Sequence, residues 1–153
     1  MDLLYYWNDI EEDLAAGRIG YFKSDREKLA KFAEGPPDYI WVCKTPEGHK
    51  GYLQLRARLL WTPAPPATVT VPRGHYHIFY DAKDPTSVSF PNSGTGANIQ
   101  SLTAWMKKHF QKSIRGTFQG ASGQLELRGD MLTELKRIAG GFTTEPFTAY
   151  LKP

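Results

Sequence analysis

Tyr39-Ile40-Trp41-Val42-Cys43-Lys44, then the turn Pro46-Glu47-Gly48, then the run from Gly51 to Trp61 is the stretch on which the fold turns. The first run is dense in β-branched and aromatic residues, which fit a pleated, half-buried surface. In the second, Leu53, Leu55, Ala57 and Leu59 alternate with Gln54, Arg56, Arg58 and Leu60. A period of two puts alternate side chains on opposite faces of a strand, so the pattern predicts one buried and one exposed face. Two such runs around a Pro/Gly turn predict an antiparallel hairpin.

Working back from the hairpin, Pro36-Pro37 closes a helix that starts at Ser24-Asp25-Arg26-Glu27, a capping-box pattern, and shows Leu29, Phe32 and Ala33 on one face. Before it, residues 3–7 are apolar and aromatic and predict a short strand. Asn8 with Glu11 predicts a first helix to Ala16, stopped at Gly17. Working forward, Thr62-Pro63-Ala64-Pro65-Pro66-Ala67 reads as a stiff surface connection, and Val69–Val71, Tyr76–Tyr80 and Val88–Phe90 read as further strands. The last third changes character. A glycine-rich loop, Asn92 to Asn98, leads into a helix whose face is Ile99, Leu102, Met106 and Phe110. A bend over 115–123 precedes a helix capped by Asp130, with Met131, Leu135 and Ile138 inward and a stop at Gly140-Gly141. The expectation is a single α+β domain over residues 1–153, with a mainly antiparallel, small barrel-like sheet and two N-terminal helices over about 3–90. A helical part over about 92–153 packs on it.

The 153 residues suit one domain, able to bury a core without disulfides or metal. A lone cysteine, Cys43, excludes an internal disulfide framework and suits a reducing compartment. No apolar stretch approaches the roughly 20 residues of a membrane helix. The N-terminus, with an acid at position 2, has no basic n-region of a signal peptide. These readings predict a cytoplasmic protein with no membrane partner. Residues 1–17 hold five acids and no lysine or arginine, so with a net charge of +3 the remainder carries +8. A basic body of this size fits a polyanion partner and equally fits a well-solvated surface.

The catalytic inventory is thin. Gly-x-Ser-x-Gly, H-E-x-x-H, CxxC and the phosphate-binding loop are all absent from the sequence. No catalytic residue is therefore nominated, and no cofactor is implied. His75 and His77, two apart on a strand, would share a face, but they lack a third ligand, so no metal site is nominated. The glycine-rich loop departs from the dinucleotide fingerprint and reads as a capped loop. Basic residues collect in 101–140, namely Lys107, Lys108, Lys112, Arg115, Arg128, Lys136 and Arg137. They make a phosphate-contacting surface only if they converge with Arg56 and Arg58. Most of the four tryptophans, eight tyrosines and eight phenylalanines belong in a core, but Tyr5, Tyr6 and Trp7 cannot all face inward from one strand. Aromatic faces beside a basic groove hold unstacked or flipped bases.

The order of a capped helix (Ser24 to Gly35), a turn (Pro36-Pro37-Asp38), a β-rich strand (Tyr39-Ile40-Trp41-Val42) and a basic strand (Leu53-Gln54-Leu55-Arg56-Ala57-Arg58) resembles the PUA-like superfamily, particularly its EVE and ASCH branches. The resemblance spans about residues 3–80. It implies RNA or DNA binding through an aromatic pocket, often for a modified base, as a reader alone or with a separate effector protein. On this reading Tyr6, Trp7, Tyr21 or Trp41 stacks on a base while Arg56, Arg58, Lys107 and Lys108 contact phosphates. Some ASCH-branch members are small hydrolases with lysine, threonine and acidic catalytic residues, a set with no match in this sequence. Two alternatives stay open: a small hydrolase acting on a nucleoside-like ligand in the same pocket, and a protein-interaction domain.

Overall fold

The computed structural model describes residues 1–67, 69–74, 76–110 and 124–150. The elements run β1 (Asp2–Tyr6), α1 (Ile10–Ala16), β2 (Tyr21–Ser24), α2 (Arg26–Glu34), β3 (Tyr39–Lys44), β4 (Gln54–Thr62), β5 (Tyr76–Asp81), β6 (Val88–Ser89), α3 (Gly96–His109), β7 (Gln124–Leu127), α4 (Gly129–Gly140) and β8 (Glu145–Pro146). A 3-10 turn, Phe147–Tyr150, follows. Local chemistry explains several boundaries. Asp25 caps α2 by accepting the Lys28 N–H at 2.8 Å, and Gly17 ends α1 with φ at +74°, a conformation glycine adopts without strain. Val69–Val71 forms no strand, and one methyl-bearing side chain from this stretch packs against the chain at Gly20. A Cβ added there, at φ +101°, would lie 2.7 Å from Val69 Cγ2.

The α+β class holds, but the sheet is mixed and corrects the mainly antiparallel expectation. The strand order is β2-β5-β4-β3-β1-β7, curled into a half-barrel. At its centre β1 and β3 run parallel, with Leu4 opposite Trp41 and Tyr6 opposite Cys43. Parallel neighbours need a crossover, and the α1–β2–α2 segment supplies it. Hairpin signals report only local pairing, so this non-local pair left no mark in the sequence pattern. The last third also contributes strands: β7 pairs antiparallel with β1, and β8 pairs with β6. The far edge of β4 splits, with Leu60–Thr62 paired to β5 and Ala57–Arg58 to β6. Buried Ser87 bridges the split, accepting the Leu60 N–H at 3.0 Å and donating to the Asp81 carbonyl at 2.6 Å.

Each face of the sheet carries its own core. One gathers Leu3, Ile40, Val42, Ala57, Leu59 and Tyr80 with Phe32 of α2 and Ile10 of α1. The other gathers Leu4, Trp41, Cys43, Leu53 and Leu55 beneath Leu102, Trp105 and Met106 of α3 and Leu135 of α4. Leu53 and Leu55 thus serve one core while Ala57 and Leu59 serve the other. The cause is a β-bulge in the hairpin: Val42 opposes Ala57, but Cys43 opposes Leu55, leaving Arg56 as the extra residue. The expectation of one buried face along Leu53–Leu59 is corrected by this single insertion.

Candidate aromatic and basic cleft

The bulge decides where the two arginines of β4 go. Arg56 points to α1, where its Nη1 lies 2.9 Å from Glu11 Oε1 and Lys44 Nζ lies 2.7 Å from Glu11 Oε2. Burial works to raise the Glu11 pKa, but hydrogen bonds from Lys44 and Arg56 outweigh it and hold the carboxyl at about 2. Arg58 goes to the other face, opposite Trp41 in register. Its guanidinium stands 4.9 Å from the Tyr39 ring centroid and 5.8 Å from that of Trp41. Its Nη2 donates to the Thr86 carbonyl at 3.1 Å. No carboxylate pairs with it among the described residues.

Arg58 lines a cleft of about 580 Å³ with Asp2, Asp38, Tyr39, Trp41, Trp61 and Lys136. Lys136 of α4 likewise has no carboxylate partner among the described residues. Asp2 is buried, and it fixes the floor: its Oδ2 accepts the Trp41 indole N–H at 2.7 Å and its Oδ1 the Tyr39 N–H at 3.3 Å. The arrangement presents two cations free to meet an anion, two half-buried rings (Tyr39 and Trp61), and carboxylates able to accept amino groups.

Of the residues nominated from sequence, the cleft brings together Trp41 and Arg58. Trp41 is only 1 % exposed and lies parallel to Phe90 at 6.3 Å, so it shapes the floor and offers no open ring face. Trp7 is 2 % exposed, donates its indole N–H to Asp13 Oδ2 at 2.6 Å and meets Phe22 edge-on. Half-buried Tyr6 accepts the Thr45 N–H on its hydroxyl. Tyr21 sits edge-on to His77 on β5. Lys108 pairs with Glu134 at 2.7 Å, and Lys107 is exposed on α3. His109 and Lys108 together hold the Glu134 carboxyl at about 2. His75, Lys112, Arg115 and the bend over 115–123 lie outside the described residues.

Tyr39, Asp2, Asp38 and Lys136 were not nominated for the pocket. A signal for Tyr39 existed, since it shares a face with Trp41 two residues on. Asp2 and Asp38 gave none, because a carboxylate becomes a wall residue only through tertiary pairing. Cys43, opposite Leu55, is 1 % exposed, and burial pushes its thiol up to about 12, so it packs as a small apolar group. Among the described residues no three His, Cys, Asp or Glu side chains could hold a metal ion. No helix among them is long and apolar enough to cross a membrane. No family model, no curated protein and no solved structure matches this chain.

Proposed function

We propose that this chain is a nucleic-acid-binding module that takes one unstacked nucleotide into the Arg58–Lys136 cleft. The observation that carries the reading is Arg58. A partly buried guanidinium, oriented by two rings and one carbonyl and with no carboxylate partner among the described residues, is a preformed receptor for a phosphate. Lys136 adds a second charge to the same cleft. Trp61 and Tyr39 supply the aromatic surfaces against which a base packs, and Asp38 can accept from its amino group. The PUA-like reading, with a modified base as the preferred occupant and a separate effector as partner, belongs to this proposal.

Fluorescence anisotropy with labelled single- and double-stranded DNA and RNA tests it, from low salt to about 0.2 M. Binding should weaken as salt rises, because phosphate contacts release counterions. The double variant Arg58→Ala, Lys136→Ala should flatten the log–log salt slope for single strands by about 1.4, the value for two lost phosphate contacts. Absence of any salt-sensitive binding ends the proposal. A second reading, a small hydrolase acting on a nucleoside-like ligand, is favoured by Asp38 and Lys136 lining one cavity, an acid and an amine. Nucleoside turnover abolished by Lys136→Met would support it.

A further inference from the structure

Four tryptophans are placed in the described chain, and three have their indole N–H anchored. Trp7 donates to Asp13 Oδ2, Trp41 to Asp2 Oδ2 and Trp105 to the Met131 carbonyl at 2.9 Å. The fourth, Trp61, has its Nε1 buried with no acceptor among the described residues. Buried polar groups in folded proteins are paired almost without exception, so an orphan marks a place where an acceptor is missing.

Trp61 is also the one residue that lines both the cleft and a second cavity of about 310 Å³. The second cavity is walled by Leu29, Phe32 and Ala33 of α2, by Pro63, and by Ile78 and Phe79 of β5. Thr62 and His77 complete it, so it contains no carboxylate, lysine or arginine. Its volume sits at the low end of small-molecule sites, room for a single ring system. A charged ligand would lose its hydration there with no lysine, arginine or carboxylate to replace it. A wholly apolar ligand would leave the Trp61 N–H unpaired.

We propose that this cavity is a binding site for a small, uncharged aromatic molecule carrying one hydrogen-bond acceptor, which takes the Trp61 indole N–H. Because that N–H is enclosed, the indole turns as the ligand enters. It breaks no polar contact in doing so, unlike the other three indoles. The site shares Trp61 with the Arg58–Lys136 cleft, but the rest of its lining is distinct and its ligand binds without nucleic acid.

Acetophenone, ethylbenzene and benzoate are the probes, titrated into the whole chain and followed by ¹⁵N–¹H NMR. Acetophenone should give saturable shifts at the Trp61 indole signal and at amides of α2 and β5. Ethylbenzene, the same shape without the acceptor, should bind about tenfold more weakly, the worth of one neutral hydrogen bond. Benzoate should not bind. Trp61→Phe removes the donor and should make acetophenone and ethylbenzene equal, whereas Ala33→Phe fills the cavity and should abolish both. Arg58→Ala should leave all three results unchanged, which separates this site from the cleft. The proposal is overturned by the absence of saturable shifts, by shifts confined to Tyr39 and Lys136, by benzoate matching acetophenone, or by an acceptor preference that survives in Trp61→Phe.

Discussion

Arg56 and Arg58 stand two residues apart on one strand, yet they end in opposite environments. Arg56 shares Glu11 with Lys44 on the α1 side. Arg58 stands over Tyr39 and Trp41 on the α3–α4 side, with no carboxylate partner among the described residues. In a regular strand the two would have shared a face. One extra residue on this strand, Arg56 itself, between the partners of Val42 and Cys43, separates them. The same sequence spacing thus gives a carboxylate-paired cluster on one side and an available cation in a cleft on the other. Charge counting cannot distinguish the two; only register does.

The largest effect tests the register itself. Leu55→Ala and Leu59→Ala each remove a fully buried leucine and should each cost about 2–5 kcal/mol in chemical denaturation. Their local signatures should differ. Native-state hydrogen exchange should show α3 and α4 loosened by Leu55→Ala, and β2, β5 and α2 loosened by Leu59→Ala. If both variants loosen the same helices, the bulge does not divide the strand between two cores.

How far the sequence reached follows from the same strand. Tyr39–Lys44 was legible to the residue, because β-branched and aromatic side chains cluster there between a Pro-Pro turn and a Pro/Gly turn. The second helix was legible because its cap, apolar face and glycine stop agree, although Asp25 and not Ser24 makes the capping bond. The alternation Leu53–Leu59 misled, since a bulge leaves the period of two intact in the letters while turning half of them over. No glycine or proline marks it. The parallel β1–β3 pair was hidden because its partners lie on either side of two helices and a strand. Of the cleft, Trp41 and Arg58 were legible as types in the right strands. Lys136 arrives from α4, and Asp2 earns its place by accepting from Trp41, so neither could be placed by local pattern.

The next effect in size sharpens the contrast at the level of binding. Arg58→Ala should weaken single-strand oligonucleotide binding about tenfold or more, equivalent to about 1.4 kcal/mol for each factor of ten. Arg56→Ala should change it by less than about twofold, because Glu11 already occupies that guanidinium. Anisotropy titrations of the two single variants under identical salt decide the matter. Equal losses would mean that the basic surface acts as a whole and that the cleft is not its focus.

The smallest effect reverses the comparison by giving the α1 side what the cleft already has. Glu11→Gln strips the shared carboxylate from Arg56 and Lys44. The Glu11 side chain is 58 % exposed, so the cluster is worth at most about 1 kcal/mol once solvent screening is allowed for. The sign with pH is fixed by the direction of the shift. Glu11 titrates at about 2 in the folded chain against an ordinary 4.5. Its contribution is therefore complete at neutral pH, begins to fall as the pH drops below about 4.5, and is gone near pH 2. Urea titrations of the parent and Glu11→Gln should show a stability gap at pH 7 that closes over that window. A gap of constant size down to pH 2 would mean the glutamate acts by packing on β3 and β4, and charge would not be what distinguishes Arg56 from Arg58. If the gap closes as expected, Glu11→Gln should also acquire slight extra salt-sensitive oligonucleotide binding at pH 7, since two more cations are then unpaired. That gain should persist when Arg58→Ala is added, because the new binding would arise on the opposite face of the sheet.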